Sequence, residues 1–322
     1  MKIVQVAPDY LPVPPVKYGG IERVVYDLTE ELVKMGHEVT LYAMPGTKSH
    51  ARVIEYTHTD DPYQIRSLVE RTLPLHTDIV HDHTHSSIIG RLPFPAPVVS
   101  TIHVPRLNPV SYPVYPSWHM QAKIGHHAGY CIHHGINPDD YQFSANKENY
   151  MLFLGRLIPE KGILHALELA EWTGQSLVIA GPESDLTDAA SSAYYTNHVL
   201  PRIINNPHVR YVGEVGGQER QDLLKHAKCL LFLSEDEAFG LVMIEAMACG
   251  TPVLALSNGA VPEVLEEYPE LICHTVTEIR DKVLHLPFPA PHELRRYAME
   301  RFSSRVMAQH YLNVYRDVNG KK

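Results

Sequence analysis

The sequence predicts an α/β protein made of two doubly wound, parallel-sheet domains, and three observations predict it. A strand, an amphipathic helix and a second strand follow one another in residues 2–43, the pattern of a parallel βαβ unit. That rhythm stops in a polar stretch at 137–149 and restarts at Met151. The length of 322 residues exceeds what one core organises efficiently and suits two domains of ordinary size.

Taken in order, residues 2–7 are an apolar strand ended by Pro8. From Gly19-Gly20, the residues Ile21, Val24, Val25, Leu28, Leu32 and Met35 recur at helical spacing with charges between them, and Gly36 closes the helix as a C′ glycine does. Residues 38–43 return as a strand, and further strands are expected at 78–80, 98–102 and 130–132. Between Val104 and Ser117 four prolines interleave with Tyr112 and Tyr115. That is the composition of an ordered surface loop, placed after a strand end where such folds bind ligands. The run NPDDYQFSANKEN, 137–149, is expected to be the interdomain linker, giving domains over 1–140 and 149–303.

In the second half, strands at 151–154, 177–180, 209–212, 229–233 and 253–256 alternate with helices at 162–172, 218–226, 242–248 and 261–266. This is a second Rossmann-like domain. From His292 the chain reads as two helical pieces broken near Phe302-Ser303-Ser304, and the last, about 304–322, is expected to pack back on the first domain.

A formal charge of -9 without a Lys/Arg cluster argues against nucleic acid and anionic membranes as partners. The first helix is expected to expose Glu22, Asp27, Glu30 and Glu31, which offers a membrane no basic face. Four cysteines form no CxxC pair and three lie in apolar runs, as expected of free thiols in a reducing compartment. The N-terminal apolar run is too short for a signal segment and no later stretch suits a membrane span, so the expected location is cytoplasmic.

Two constellations carry chemistry. In GRLIPEKG, 155–162, a strand feeds two glycines and two cations into a helix start. Arg156 offers a charge-assisted fork, Lys161 a mobile point charge and the helix start oriented N–H groups, together suited to a phosphate; the alternative is a loop with solvated surface charges. In EAFGLVMIEAMACGTPVLA, 237–255, Glu245 is surrounded by Val242, Ile244, Ala246, Met247 and Ala248. A carboxylate buried there needs a donor such as a ligand diol; the alternative is a surface position on an amphipathic helix. Glu237, in the turn after a strand, reads alone as an ordinary loop acid.

The pair Arg156-x4-Lys161 and Glu237-x7-Glu245 resembles the family 4 retaining glycosyltransferases of the GT-B fold, especially small bacterial members. The segments YGGIERVVYDLTEELVKMGHEVTLYA, VVSTIH, HHGIN and GEVGGQERQDLLKHA match that family's layout, so the resemblance covers most of the chain. It implies two Rossmann-like domains facing a cleft, with a nucleotide diphosphate sugar held mainly by the second and an acceptor approaching from the first. On matching positions Arg156 and Lys161 would hold the diphosphate, and Glu245 the ribose. Glu237 would contact hydroxyls of the transferred sugar, assisted by backbone N–H groups at Phe239, Gly240 and Leu241. Gly19 and Gly20 would let the first domain's backbone approach the diphosphate, and His103 would face the donor sugar as a positioning group. No metal or cofactor is implied, since cations serve the diphosphate. UDP-glucose is the first expectation for the donor, the acceptor is open, and a monomer or homodimer is expected.

Three alternatives stay open at this stage. One is a sugar-nucleotide epimerase of the same fold, and another a non-catalytic sugar-nucleotide-binding protein. The third is a metal-binding protein, because His81, His83 and His85 alternate and share one face of an extended segment, with Asp82 pointing away. His126-His127 and His133-His134 read as solvated surface or linker positions, and Tyr112, Tyr115 and Trp118 as either ring-stacking residues or packing anchors.

Overall fold

The computed structural model describes residues 1–184 and 189–320. The chain forms two compact units, one of Met1–Asn137 with the chain from Phe302 onward, the other Pro138–Arg301. Both carry a parallel sheet with a Rossmann-like strand order.

In the first unit the strands are β1 (Lys2–Val6), β2 (Glu38–Ala43), β3 (Arg52–Glu55), β4 (Ile79–Asp82), β5 (Val98–Thr101), β6 (Pro113–Tyr115) and β7 (Tyr130–Cys131), with helices α1 (Gly20–Lys34), α2 (Pro62–Thr72) and α3 (Trp118–Lys123). They pair in the order β3-β2-β1-β4-β5-β6-β7, all parallel. In the second unit β8 (Tyr150–Leu154), α4 (Ile163–Thr173), β9 (Ser176–Ala180), α5 (Ala189–Tyr194), α6 (Leu200–Ile204) and β10 (Val209–Tyr211) come first. They are followed by α7 (Gly217–His226), β11 (Cys229–Phe232), α8 (Leu241–Ala248), β12 (Val253–Leu256), α9 (Val261–Val264), β13 (Ile272–Cys273), α10 (Val276–His285) and α11 (Pro291–Phe302). That sheet runs β10-β9-β8-β11-β12-β13, again parallel. The last helix, α12 (Ser304–Gly320), belongs to the first unit and packs on α1; residues 321–322 of the expected helix lie outside the described ones.

Central strands such as CLLF of β11 are buried on both faces, which is why they read as continuous apolar runs. In each sheet the chain reverses direction of growth between its first and fourth strands, β1/β4 and β8/β11. Ligands of open α/β sheets sit beyond the C-terminal strand ends at such a switch point.

Several expectations are corrected. The 137–149 stretch is not a free linker: Tyr141 is buried, and Lys147 Nζ donates to Lys225 O (2.8 Å), Cys249 O (3.2 Å) and Thr251 Oγ1 (2.9 Å) inside the second unit. The proline-rich loop contains β6, because the ψ that precedes and follows proline suits an extended strand as well as a loop. Its Tyr115 is a buried packing anchor, whereas Trp118 is exposed. Glu22, Asp27 and Glu30 of α1 are buried. Glu30 accepts from Ser49 Oγ (2.6 Å), His50 N (2.9 Å) and His50 Nδ1 (2.6 Å), so neighbours on the far side enclose a face that periodicity assigns to water.

Candidate active site

The second unit's candidate residues gather at the C-terminal ends of β8 and β11, beside the switch point. Past β8, Gly155 N donates to Ala180 O (3.0 Å) and Leu157 N to Pro182 O (2.9 Å), which pins the backbone around half-buried Arg156 to the end of β9. Gly181 makes this approach possible: its φ is +142°, and a Cβ there would lie 1.9 Å from Gly155 O. Gly181→Ala is therefore expected to destabilise the second unit by about 3 kcal/mol, from backbone strain plus overpacking. A thermal melt of the variant checks it, and an unchanged midpoint would refute the close approach.

Pro159–Lys161 form one 3-10 turn and α4 starts only at Ile163, so Lys161 stands before the helix. Glu235 N donates to Glu160 O (3.0 Å), tying the two sequence motifs together. Their side chains also meet: Lys161 Nζ lies 2.5 Å from Glu237 Oε2, with both groups about four-fifths buried. The Glu237 backbone is held by Ala260 N (3.1 Å), and Asn258 Nδ2 holds Ser234 O (3.2 Å). The turn then passes through buried Phe239 to Gly240, whose φ of +86° forms the N-cap of α8 with Leu241 as its first residue.

Glu245 lies on α8 and is 2% exposed, as its apolar neighbours indicate. Its donors, however, come from the protein. Tyr141 Oη donates to Oε1 (2.9 Å), and the Arg220 guanidinium of α7 donates to Oε2. Burial opposes the Arg220 charge, and the adjacent carboxylate overrides that and raises its pKa above the ordinary value. Both Arg220 and Tyr141 escaped the sequence reading. Removing one partner of a buried pair leaves the other charge uncompensated, so Arg220→Ala is expected to cost about 3–5 kcal/mol. Denaturant unfolding of the second unit measures it; a loss under about 1 kcal/mol would show the pair to be solvated.

In the first unit, Gly19 carries a φ of +146° and is buried, with a Cβ position 2.7 Å from Pro15 Cβ; Gly20 is exposed and opens α1. His103 follows β5, its Nε2 3.0 Å from His83 Nδ1 and its ring stacked on His134 at 5.2 Å. His81 and His83 do share a face, yet their four ring nitrogens meet Tyr315 Oη, Thr101 Oγ1, His103 and Gln5 Oε1. The alternating histidines thus build a hydrogen-bonded interior in place of the metal-facing surface that their spacing allows. Asp82 points to the other side and caps the following turn, accepting from Thr84 N (2.9 Å), Thr84 Oγ1 (2.7 Å), Ile89 N (2.8 Å) and Gly90 N (3.2 Å). His134 is buried, not solvated, and burial lowers its pKa to about 3. The four cysteines are free thiols, and burial pushes Cys229 and Cys249 up to about 12. Among the described residues no helix is long and apolar enough to cross a membrane.

Two parallel sheets, each with a switch point between its first and fourth strands, define the GT-B class. Residues 18–133 match the family model described as Glycosyltransferase Family 4, and residues 139–286 the one described as Glycosyl transferases group 1. The chain belongs to the family 4 glycosyltransferases. It is similar to an uncharacterized glycosyltransferase of Methanocaldococcus jannaschii, 30% identical over an alignment of 154 residues, with coverage of 42% of this chain and 38% of the relative. It spans between 36% and 42% of the length of that protein and two further curated relatives. Among solved structures it is similar to AviGT4, a glycosyltransferase involved in avilamycin A biosynthesis, with a TM-score of 0.81, 29% identity and coverage of 100% of this chain and 98% of that one. It shares the fold of Anabaena HepE in complex with UDP and glucose, with a TM-score of 0.77, 18% identity and coverage of 98% and 100%.

Proposed function

We propose that the protein moves a hexose from a nucleotide diphosphate sugar to an acceptor hydroxyl with retention of anomeric configuration. The observation that carries this is the Lys161–Glu237 pair at the switch point, where a cation for the diphosphate stands beside a carboxylate for sugar hydroxyls. Arg156 and Lys161 neutralise the departing diphosphate, and Glu237 with the N–H groups of Phe239, Gly240 and Leu241 orients the sugar. Glu245 contacts the ribose, its carboxylate held by Arg220 and Tyr141. His103, Gly19 and Gly20 are the first unit's contributions to substrate binding. The two cations supply the charge that a divalent ion supplies elsewhere, so no metal is required. UDP is the first choice of nucleotide, a reading supported by the UDP of HepE. Four free thiols fit action in the cytoplasm.

The test is thermal stability of the purified chain with UDP, GDP, ADP and their glucose conjugates, with and without EDTA. A ligand at a hundred times its Kd adds about 2.7 kcal/mol to the folded state. A shift selective for one nucleotide, indifferent to EDTA and lost in Lys161→Ala, is expected. No shift with any nucleotide would overturn the donor assignment, and a stability loss in EDTA would overturn the metal-free reading.

A further inference from the structure

His103 ends a chain of buried polar groups that reaches the last helix. Gln5 Nε2 donates to Tyr315 Oη (3.3 Å), and the same hydroxyl lies 2.7 Å from His81 Nδ1. A phenol has one proton, so Tyr315 accepts from Gln5 and donates to His81. His81 Nε2 then carries the hydrogen directed at Thr101 Oγ1, 2.7 Å away, which is itself 2.8 Å from Tyr311 Oη. With its NH2 on Tyr315, Gln5 turns its oxygen to His83 Nε2 at 2.7 Å. An amide oxygen only accepts, so His83 is protonated on Nε2.

Burial holds both His83 and His103 neutral, far below the usual imidazole pKa, with the neighbouring histidine charges acting in the same direction. A neutral His83 with its hydrogen on Nε2 has a bare Nδ1, 3.0 Å from His103 Nε2. That contact is a hydrogen bond only if His103 donates. Its own Nδ1 then has no hydrogen, and this buried atom has no hydrogen-bond partner among the described residues.

We infer that Gln5, His83 and Tyr315 are positioning residues that hold His103 in its Nε2–H form, so that Nδ1 accepts a hydrogen bond from a ligand hydroxyl. The site thereby selects a hydroxyl donor over a carbonyl or phosphate oxygen, which would face the lone pair unfavourably. That the hydroxyl belongs to the donor sugar rests on the function proposed above; the tautomer does not. A Gln5 turned over would reverse every proton along the chain and make His103 Nδ1 a donor.

Two-bond proton–nitrogen correlation spectra of the full chain, labelled with 15N-histidine at neutral pH, read the tautomer, with His103→Gln and His83→Gln giving the assignments. Neutral Nε2–H forms are expected at both positions. Tyr315→Phe removes the hydroxyl that orients Gln5 and is expected to give a tautomer mixture at His103; Gln5→Leu, which removes the acceptor instead, gives the same mixture and serves if the first variant fails to fold. In either variant affinity for UDP-glucose should fall about three- to tenfold while that for UDP alone is unchanged. An Nδ1–H or charged His103 in the parent protein, or an unmoved tautomer in both variants, would overturn the inference whatever the activity. The expected tautomers together with no binding of any sugar nucleotide would uphold the positioning role and overturn the proposed function instead.

Discussion

Replacing Lys161 by alanine is expected to lower kcat/KM for the sugar-nucleotide donor by about a hundred- to a thousandfold, most of it in kcat. The ammonium lies 2.5 Å from Glu237 and is largely shielded from water. On the function proposed above, its charge would act on a departing diphosphate with little screening. The variant also leaves Glu237 without that partner, and the carboxylate's repulsion of the diphosphate adds to the loss. Arg156→Ala is expected to lie in the range of about ten- to a thousandfold. Steady-state kinetics of donor turnover decide the matter, and unchanged turnover in both variants would remove the diphosphate from this loop.

The second large effect is on stability in acid. Burial holds His81, His83, His103 and His134 neutral, with His134 lowered to about 3. In the unfolded chain each titrates near 6.5. The folded pKa is thus the lower one, so below about pH 6.5 the unfolded state binds more protons and stability falls as the pH falls. Each group that stays neutral in the folded state while its unfolded counterpart is charged contributes up to about 1.4 kcal/mol per pH unit to that loss. Typical folding stabilities are about 5–15 kcal/mol, so the combined loss from these histidines is expected to be large enough to measure in the first unit. Denaturant unfolding at a series of pH values measures the slope, and His83→Gln should reduce it. A flat profile from pH 7 to 5 would mean that the folded imidazoles are charged.

The sequence makes some of this legible and hides the rest for identifiable reasons. The parallel strands could be read because sheets buried on both faces need continuous apolar runs, as in β8 and β11. Glu245 could be recognised as buried from its neighbours, but not what holds it. Arg220 sits 25 positions away on another helix and Tyr141 104 positions away in a polar-looking run, and no periodicity links either to α8. The alternation at His81 and His83 correctly placed them on one face. Their partners Tyr315 and Gln5 lie 234 and 78 positions off, so the same spacing suits a metal face and a hydrogen-bonded core equally well. The acids of α1 misled for a related reason: a helix pattern reports where apolar residues point, not what later segments bury on its other sides. The Lys161–Glu237 contact was not legible, since 76 positions separate the two and the resemblance gave them separate roles toward one substrate.

Tyr315 reaches Gln5 across 310 residues of chain, and this fixes an order of events during synthesis. The second unit is one continuous segment and can fold as soon as it leaves the ribosome, whereas the first unit needs residues made after all of the second. Until α12 arrives, His81 lacks the Tyr315 hydroxyl and Thr101 lacks that of Tyr311. A translation product stopped anywhere before Tyr311 therefore carries an open, histidine-lined core that a proteolytic surveillance system can attack. The last helix thus makes completion of the first unit's buried polar core wait for synthesis of Tyr311 and Tyr315.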